Sequence, residues 1–433
     1  MTRTRAVHVE AGALERVPAW VAAQGHAAAL VVGDTRTMAA AGDRIVALLE
    51  GASVATSALV LPDHHGHPPT ADDETVDRAL AAIAAARPSL VVAAGAGTVN
   101  DVAKLAAHRA ELTYITCPTA PSMNGYTSAI AAILSGGVKR TLPARQALAV
   151  FADVDVLAAA PRVLRLAGFG DLCSKPFSNG DWYLAHALLD EYWCALPAEL
   201  LDGAFRELLD HARGIGEGTP SAVHRLTETL LLSGFSMALA GSSSPASGGE
   251  HLISHYWDMV EHAAGRPVRA LHGLQVGVAT VITGRLYEDI LATPAERLDL
   301  DALAAAGPQT PAEREREVRA RHPLLPAEIV DGVVAESLAK FRPPGERRAL
   351  LGRLVERWPD IRARAGISAA AIESALRQAG APVHAAALGI DPTTLAETVR
   401  VARDMRSRYT VLDLADDLGI LDTFADRAWE IAD

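Results

Sequence analysis

The stretch VVAAGAGTVNDVAK, residues 91–104, joins an apolar run to a segment with helical periodicity. Gly95 and Gly97 stand at the turn between the two, where glycine lets the backbone approach a ligand closely. The free amides at the start of the following helix favour an anion such as a pyrophosphate. The stretch lacks the full G-x-G-x-x-G pattern, and many α/β proteins have such a glycine pair without a ligand. The spacing alone therefore leaves nucleotide binding open.

The same order of strand, turn and helix recurs on both sides of this stretch. AALVVG at residues 28–33, SVATSALVL at 53–61 and TYITCPT at 113–119 predict further strands, and helical patterns lie between them. Strands that alternate with helices at these lengths predict a parallel sheet covered on both faces. From Pro161 onward, long helical patterns dominate. We therefore predict an α/β dinucleotide-binding domain over residues 1–160 and an all-helical domain over residues 161–433.

Composition and charge restrict the classes of function. The chain has 433 residues, of which 50% are hydrophobic and 21% charged, so it can bury a large core. Its net charge of -12 argues against a general nucleic-acid or anionic-membrane surface. Three cysteines without a C-x-x-C pair predict neither a disulfide framework nor a thiolate zinc site. The amino terminus lacks the apolar run of a secretory signal and no segment has the length of a membrane span, so we expect a cytoplasmic protein.

Two other segments are rich in residues that favour solvent. GPQTPAEREREVRARHPLLP, residues 307–326, is bounded by prolines and highly charged, and predicts a solvated excursion with a short helix. HHGH, residues 64–67, has close histidine spacing but stands in a loop with proline and glycine. A solvated loop is a better interpretation of HHGH than a metal site.

Two histidines mark SGGEHLISHYWDM, residues 247–259, because His251 and His255 are four residues apart. On a helix both imidazoles point the same way and can converge on a metal, a substrate or a polar patch of core. Asp171 follows a glycine turn and is predicted to begin a helical segment, and His272 precedes Gly273 in an apolar stretch. Each alone fits a structural role, as a helix cap or a core histidine. One carboxylate and two imidazoles together are a ligand set suited to zinc with an open position.

Five motifs agree in consistent order between about residue 28 and residue 280. They are GAGTVND, PTAPSMNGYTSA at 118–129, GFGDLCSK, ASGGEHLISHYWDM and HGLQVGV. The set resembles the sn-glycerol-1-phosphate dehydrogenases, a branch of the superfamily of iron-containing alcohol dehydrogenases, glycerol dehydrogenases and dehydroquinate synthases. The resemblance implies a dehydroquinate synthase-like fold, with the active site in the cleft between an α/β nucleotide-binding domain and an all-α domain. It also implies a cytoplasmic homo-oligomer, a dimer or larger, that binds neither nucleic acid nor a membrane.

The resemblance assigns roles to individual positions. Eight residues would contact NAD(H) or NADP(H): Gly95, Ala96, Gly97, Thr98, Val99, Thr119, Ser122 and Ser128. Asp171, His251 and His272 would hold one divalent metal, zinc in first place and Ni²⁺ or Fe²⁺ as alternatives, while His255 would face the substrate. Lys175 fits either a phosphate anchor or a structural ion pair. Asp34, at the end of the first predicted strand of the alternating pattern, fits either a contact with the cofactor ribose or a cap on the next helix.

The reaction implied by the resemblance is reduction of dihydroxyacetone phosphate to sn-glycerol 1-phosphate with NADH or NADPH. Two departures concern the substrate. Asn124 stands where the PSM motif of the relatives continues with aspartate, and Leu274 stands where a polar residue is expected. We therefore expect a small phosphorylated polyol or ketone as substrate, with Asn124 in the catalytic site. The alternative is a dehydroquinate synthase-like cyclase or lyase that uses a metal and catalytic NAD; a non-catalytic sensor is disfavoured because all three presumed ligands are intact.

Overall fold

The computed structural model describes residues 3–63, 67–135, 138–364 and 368–432. The first three residues of the HHGH segment, 64–66, lie outside the described residues. The chain packs into two compact units, one of Met1–Leu172 with Glu199–Ser242 and the other of Cys173–Ala198 with Ser243–Asp433. Each unit thus contains two separate segments of the chain, whereas we predict a single boundary at residue 160.

The first unit contains a parallel sheet and one hairpin. The eight strands are β1 (Ala6–Glu10), β2 (Ala28–Asp34), β3 (Ala55–Leu61), β4 (Leu90–Ala94), β5 (Thr113–Cys117), β6 (Ile130–Ser135), β7 (Val138–Pro143) and β8 (Ala149–Asp153). Six of them form the sheet in the order β1-β8-β5-β4-β2-β3 with parallel pairing throughout, and β6 pairs with β7 in antiparallel register. The parallel sheet predicted from the alternation of strands and helices is confirmed.

Helices account for most of the remaining structure. The α-helices are α1 (Val17–Ala23), α2 (Thr35–Thr37), α3 (Asp43–Gly51), α4 (Asp73–Ala86), α5 (Thr98–Arg109), α6 (Val154–Ala159), α7 (Arg162–Cys173), α8 (Lys175–Leu189), α9 (Ala195–Asp210), α10 (Ala212–Glu217), α11 (Pro220–Ala240), α12 (Gly249–Ala263), α13 (His272–Ala292), α14 (Leu300–Ala306), α15 (Pro311–Arg321), α16 (Ala327–Ala339), α17 (Pro344–Arg364), α18 (Ala369–Ala379), α19 (Pro392–Val401), α20 (Val411–Asp417) and α21 (Leu421–Arg427). The described part of the second unit contains helices and no strand. This confirms the all-α character predicted for the carboxyl-terminal half.

The sheet is covered on both faces, which explains its apolar central strand. Val91 and Ala93 of β4 belong to one buried apolar cluster, and Val92 and Ala94 belong to the other. Successive side chains of a strand point to opposite faces, so a strand buried on both faces must be apolar at every position. This is why LVVAA has no polar alternation.

One buried carboxylate connects four helices of the second unit. Asp181 on α8 is 1% exposed; its Oδ2 accepts a hydrogen bond from the Gly249 amide (2.7 Å) and its Oδ1 one from the Val411 amide (2.8 Å). The hydroxyl of Tyr287 on α13 donates to the same Oδ1. Burial, with the nearby Glu250 carboxylate, raises the pKa of Asp181 to about 7. Asp181 thereby fixes the starts of α12 and α20.

Two sequence interpretations of helical segments are wrong. Asp171 does not begin a helix but lies near the end of α7, because the chain is already helical from Arg162 through both glycines. Residues 307–326 contain the predicted short helix, but it is not simply solvated. Arg314 on α15 is 4% exposed and pairs with Asp404 at 2.6 Å. The Asp404 carboxylate, which is far away in the sequence, makes burial of the Arg314 charge possible. The local sequence around Arg314 therefore does not reveal this burial.

Among the described residues, none of the helices combines the length and the apolar character needed to cross a membrane.

Candidate active site

The predicted cofactor residues stand at one edge of the sheet. Asp34 ends β2, Gly95 directly follows β4, and Thr119 follows β5 by two residues. These three strands are neighbours and parallel, so their carboxyl ends share one edge. The chain order reverses between β2 and β4, since β3 lies on the outer side of β2. Open parallel sheets bind ligands at the carboxyl edge next to such a reversal.

The turn between β4 and α5 requires both of its glycines. A Cβ at Gly95 would lie 2.5 Å from the Cβ of Val99, so any side chain would push the start of α5 away from the strand. Gly97 has φ of +46°, a conformation that favours glycine, and no side chain caps α5. Ala96, Gly97 and Thr98 are partly exposed, whereas Val99 is buried. The start of α5 has no side-chain cap among the described residues, and the binding of an anion there stays a prediction.

Asp34 performs the capping role that was one of its two expected functions. Its carboxylate accepts hydrogen bonds from the backbone amides of Arg36 and Thr37, each at 2.8 Å, and the Thr37 hydroxyl accepts one from the Asp34 amide. This reciprocal pattern is a capping box at the start of α2. The contact of Asp34 with a ribose stays a prediction.

Lys104, a residue that the sequence analysis did not select, anchors the PTAPSMNGYTSA segment. Its ammonium group is fully buried and donates to the carbonyls of Gly125 (2.5 Å) and Ile130 (3.0 Å) and to the hydroxyl of Ser128 (3.3 Å). Burial lowers the pKa of Lys104. Ser128 is itself fully buried in this network, whereas Thr119 is 7% exposed and Ser122 half-buried. The signal in the sequence was a lysine among the apolar residues of α5.

Asn124 lies beside Asp171 within the first unit. Its amide Nδ2 is 3.3 Å from the Ser233 hydroxyl and 3.5 Å from Asp171 Oδ1. Glycines on two helices permit this packing. A Cβ at Gly168 on α7 would lie 1.9 Å from the Pro121 carbonyl oxygen, and one at Gly234 on α11 would lie 2.7 Å from the Asn124 carbonyl oxygen. Asn124 is thus a neighbour of the presumed metal ligand Asp171, and its place in the catalytic site stays a prediction.

The three histidines of the second unit converge. The ring centroids of His251 and His272 are 5.2 Å apart, those of His255 and His272 are 5.3 Å apart, and those of His251 and His255 are 6.0 Å apart. His251 and His255 lie one turn apart on α12, and His272 is the first residue of α13. His251 is 6% exposed, while His255 and His272 are partly exposed.

Hydrogen bonds at Nδ1 fix the tautomers of two of these rings. His251 Nδ1 is 2.7 Å from Glu250 Oε1, and a carboxylate only accepts, so Nδ1 carries the proton. His272 Nδ1 is 3.0 Å from the Ser254 hydroxyl, which donates its own proton to Gln275 Oε1 at 2.9 Å. In both rings Nε2 is therefore the nitrogen with a lone pair, as a metal ligand requires. Glu250 and Ser254 were missed by the sequence analysis, although Glu250 directly precedes His251.

These donors fit a divalent ion. Imidazoles with a polar partner at Nδ1, as His251 and His272 have, are a common part of zinc sites. Within the described ranges, no three or more His, Cys, Asp or Glu side chains are grouped around one ion position. Ligation by Asp171, His251 and His272 stays a prediction.

Lys175 and Leu274 occupy buried positions. Lys175 is 1% exposed, and its ammonium group donates to the Ala246 carbonyl at 3.0 Å and to the Ser174 hydroxyl at 3.1 Å. These contacts favour the structural one of its two expected roles. Leu274 on α13 is 8% exposed and belongs to the apolar core.

Comparisons with known proteins place these features in context. A family model described as iron-containing alcohol dehydrogenase matches residues 8–161. The glycerol-1-phosphate dehydrogenase (NAD(P)+) of Geobacillus thermodenitrificans (strain NG80-2) is 36% identical over 281 residues, 64% of this chain and 68% of that protein. The enzyme of the same name from Geobacillus stearothermophilus is 30% identical over 411 residues, 94% of this chain and 91% of that protein.

A solved structure shares the fold over the whole chain. Maleylacetate reductase from Agrobacterium tumefaciens matches with a TM-score of 0.63 at 15% identity, covering 100% of this chain and 98% of that chain. At this identity the likeness concerns the fold alone. It agrees with the α/β and all-α parts found here.

We predict that Glu250→Gln weakens binding of Zn²⁺ by about 10–100-fold, because Gln cannot hold the His251 ring through a charged acceptor. The dissociation constant would be measured by competition with a chromophoric chelator. Glu261→Gln is the matched control, since Glu261 lies on the same helix but pairs with Arg266 and Arg269. Equal affinities of the Glu250→Gln and Glu261→Gln variants would contradict a role for Glu250 in holding the ligand.

Proposed function

The chain belongs to the glycerol-1-phosphate dehydrogenase family, and we propose that it is an NAD(P)-dependent, metal-dependent oxidoreductase of a small phosphorylated polyol or ketone. The observation that carries the proposal is the 30% identity to a named glycerol-1-phosphate dehydrogenase over 94% of this chain. The glycine turn at the carboxyl edge of the sheet and the converging imidazoles support it.

The cofactor would occupy the carboxyl edge of the sheet. Its pyrophosphate would lie against the first amides of α5, where Gly95 and Gly97 permit close approach. Thr119 and Ser122 lie on the segment after β5 at the same edge and would complete the contacts. Ser128 would contribute through the buried network of Lys104 rather than by an exposed hydroxyl.

We assign the metal to Asp171, His251 and His272, with zinc as the first choice of ion. When bound, the cation stabilises negative charge on the substrate oxygen while hydride moves to or from the nicotinamide. Glu250 and Ser254 hold the two rings with Nε2 as the ligating nitrogen. His255 has no part in this set and lies partly exposed beside it, so it would orient the substrate or move its proton. The functional protein would be a homo-oligomer, a dimer or larger.

The function is tested by a screen of phosphorylated ketones and polyols with NADH, NAD⁺, NADPH and NADP⁺ after metal reconstitution. A dehydrogenase changes the absorbance of the reduced cofactor in proportion to turnover. A cyclase or lyase of the dehydroquinate synthase type returns the nicotinamide to its starting state, so turnover without net change in cofactor absorbance would refute the proposal.

We predict that His251→Ala loses the metal and turnover, whereas His255→Ala keeps the metal and loses turnover. The physical reason is that His251 Nε2 is a ligand and His255 serves the substrate. Metal content by elemental analysis and kcat by cofactor absorbance would be measured on the same preparations. A His255→Ala protein that loses its metal as completely as His251→Ala would place His255 among the ligands instead.

Asn124 is expected to contribute to substrate choice through its amide. Asn124→Asp replaces a donor next to Asp171 with a second carboxylate. For the native substrate we predict a loss in kcat/KM equivalent to about 1–3 kcal/mol, because a substrate group loses its partner. Reduction of dihydroxyacetone phosphate should be unharmed or improved.

The control for this prediction is Ser233→Ala, which removes the neighbour of the Asn124 amide without adding charge. Values of kcat/KM would be measured for the parent, Asn124→Asp and Ser233→Ala proteins on the best substrate of the screen and on dihydroxyacetone phosphate. Parallel changes on both substrates in Asn124→Asp, or none, would exclude a role in specificity.

A further inference from the structure

A polar cavity lies within the helical unit, and none of the residues assigned above lines it. It has a volume of about 260 Å³ and is lined by residues between Leu303 and Asp422. Its wall comes from α14 to α17 and from the segment that contains α20 and α21. The sequence analysis gave no function to this part of the chain.

The cavity wall is highly charged. Six basic side chains and five carboxylates line it, so the two signs nearly balance in number. Charges in such a wall are costly unless each finds a partner. A ligand would bind the charged side chains whose hydrogen-bonding groups are not already used by the protein.

The buried carboxylates are already engaged by the protein. Asp413 accepts from Lys340 at 2.7 Å, from Arg403 at 3.2 Å and from the Thr410 amide at 2.9 Å. Asp417 accepts from the Tyr409 hydroxyl at 2.7 Å. Burial raises the pKa of Asp417 to about 6. Glu317 Oε2 is buried without a hydrogen bond among the described residues, but it lies 3.6 Å from an Arg321 nitrogen and 3.8 Å from an Arg314 nitrogen. These three carboxylates therefore already face donors or cations of the protein.

The arginines retain donors. Arg403 is 6% exposed, and its Nε is buried with no hydrogen-bond partner in the described chain, although its other two nitrogens bind Asp413 and Asp416. A buried charged N–H without an acceptor is costly, so it marks a place where an acceptor would be stabilising.

Two further arginines are paired mainly with backbone. Arg347 donates to the carbonyls of Ala304 and Pro308, each at 2.8 Å, and the nearest carboxylate oxygen, on Asp417, is 4.0 Å from its Nε. Arg342 donates to the Lys340 carbonyl at 2.8 Å and forms no ion pair among the residues that the structure describes. Their positive charges are thus not neutralised by close carboxylates.

We propose that this cavity binds an oxyanion of the phosphate class, either free phosphate or the phosphate group of a small ester, through Arg342, Arg347 and Arg403. Guanidinium groups match the several oxygens of a phosphate with parallel N–H donors. The volume lies below the roughly 300–1,000 Å³ of ordinary ligand pockets, which restricts the ligand to a small one. Such a ligand would join α17 and the loop before it to the segment between α19 and α20, in a cavity that α15 and α20 also line.

The test uses the full-length, metal-loaded protein with inorganic phosphate as the probe. Hydrogen exchange would be followed at α15 and α20 during a phosphate titration, with sodium chloride of equal ionic strength as the salt control. We expect phosphate, and not chloride, to slow exchange in both helices. Because the readout is local to the cavity, it is not confused with phosphate bound among the residues proposed for catalysis.

Arg342→Ala provides the decisive variant, since Arg342 is partly exposed and outside the residues proposed for catalysis. It should raise the phosphate concentration needed for half-maximal protection at least tenfold and leave kcat/KM unchanged. Arg348→Ala is the matched control, because Arg348 is nearby in sequence but exposed and paired with Asp301. If Arg342→Ala does not fold, Arg342→Gln replaces it.

Three outcomes would overturn the proposal: no protection by phosphate, equal protection by chloride, or equal protection in the Arg342→Ala and Arg348→Ala proteins. A parallel titration with glycerol phosphate separates the two sources of the ligand. Protection at lower concentration by the ester identifies an ester, and the reverse order identifies free phosphate; both support the site. The proposed function fails independently, by absence of cofactor turnover with every phosphorylated substrate.

Discussion

The carboxylate of Asp181 is the contact on which the arrangement of the histidines depends. A carboxylate that is 1% exposed must be compensated by donors, and here two helix N-terminal amides and one tyrosine hydroxyl supply them. One of these amides, that of Gly249, starts the helix that carries His251 and His255. Gly248 has no space for a side chain, since a Cβ would lie 2.5 Å from Asp181 Oδ2. The start of α12 is thus fixed by a buried carboxyl group.

A comparable constraint operates in the unit that contains the sheet, but there it depends on glycine and one lysine. Gly168 and Gly234 let α7 and α11 approach the backbone of the segment 118–129 more closely than any side chain would permit. Lys104 also holds this segment, through the Gly125 carbonyl and the Ser128 hydroxyl, and binds the Ile130 carbonyl just after it. These contacts accompany the approach of Asn124 to Asp171. The position of Asn124, which we propose for specificity, therefore depends on residues that have no proposed part in catalysis.

Charge in the last third of the chain is organised around buried ion pairs. Arg314 donates to Asp404 and to the Ser337 hydroxyl, and all three residues are nearly or fully buried. Burial works against the charge of Asp404, yet the His322 hydrogen bond and the nearby Arg403 and Arg314 hold the pKa of Asp404 well below its usual range. Removal of one partner would leave an uncompensated charge, which is more costly than the pair is stabilising. The proposed oxyanion cavity belongs to this network.

The sequence by itself determined the class of fold. Apolar β-branched runs alternating with helical periodicity specify a parallel sheet, and glycine at a strand-to-helix turn follows from backbone sterics; both are local properties. The spacing of His251 and His255 is local as well, so their common face could be predicted. Residues of α7 were misjudged, because Gly168 and Gly170 resemble a turn in sequence, whereas both lie inside a helix and Gly168 permits close packing there.

Only the tertiary structure decided which residues pair with the buried polar side chains. Asn124 and Asp171 are 47 residues apart in the chain, Asp181 and Val411 are 230 apart, and Arg314 and Asp404 are 90 apart. No periodicity connects such pairs, because they are selected by the need to satisfy buried polar groups after the helices have packed. The charged stretch 307–326 illustrates the limit: its composition favours solvent, but one of its arginines is buried by a carboxylate that local sequence cannot reveal.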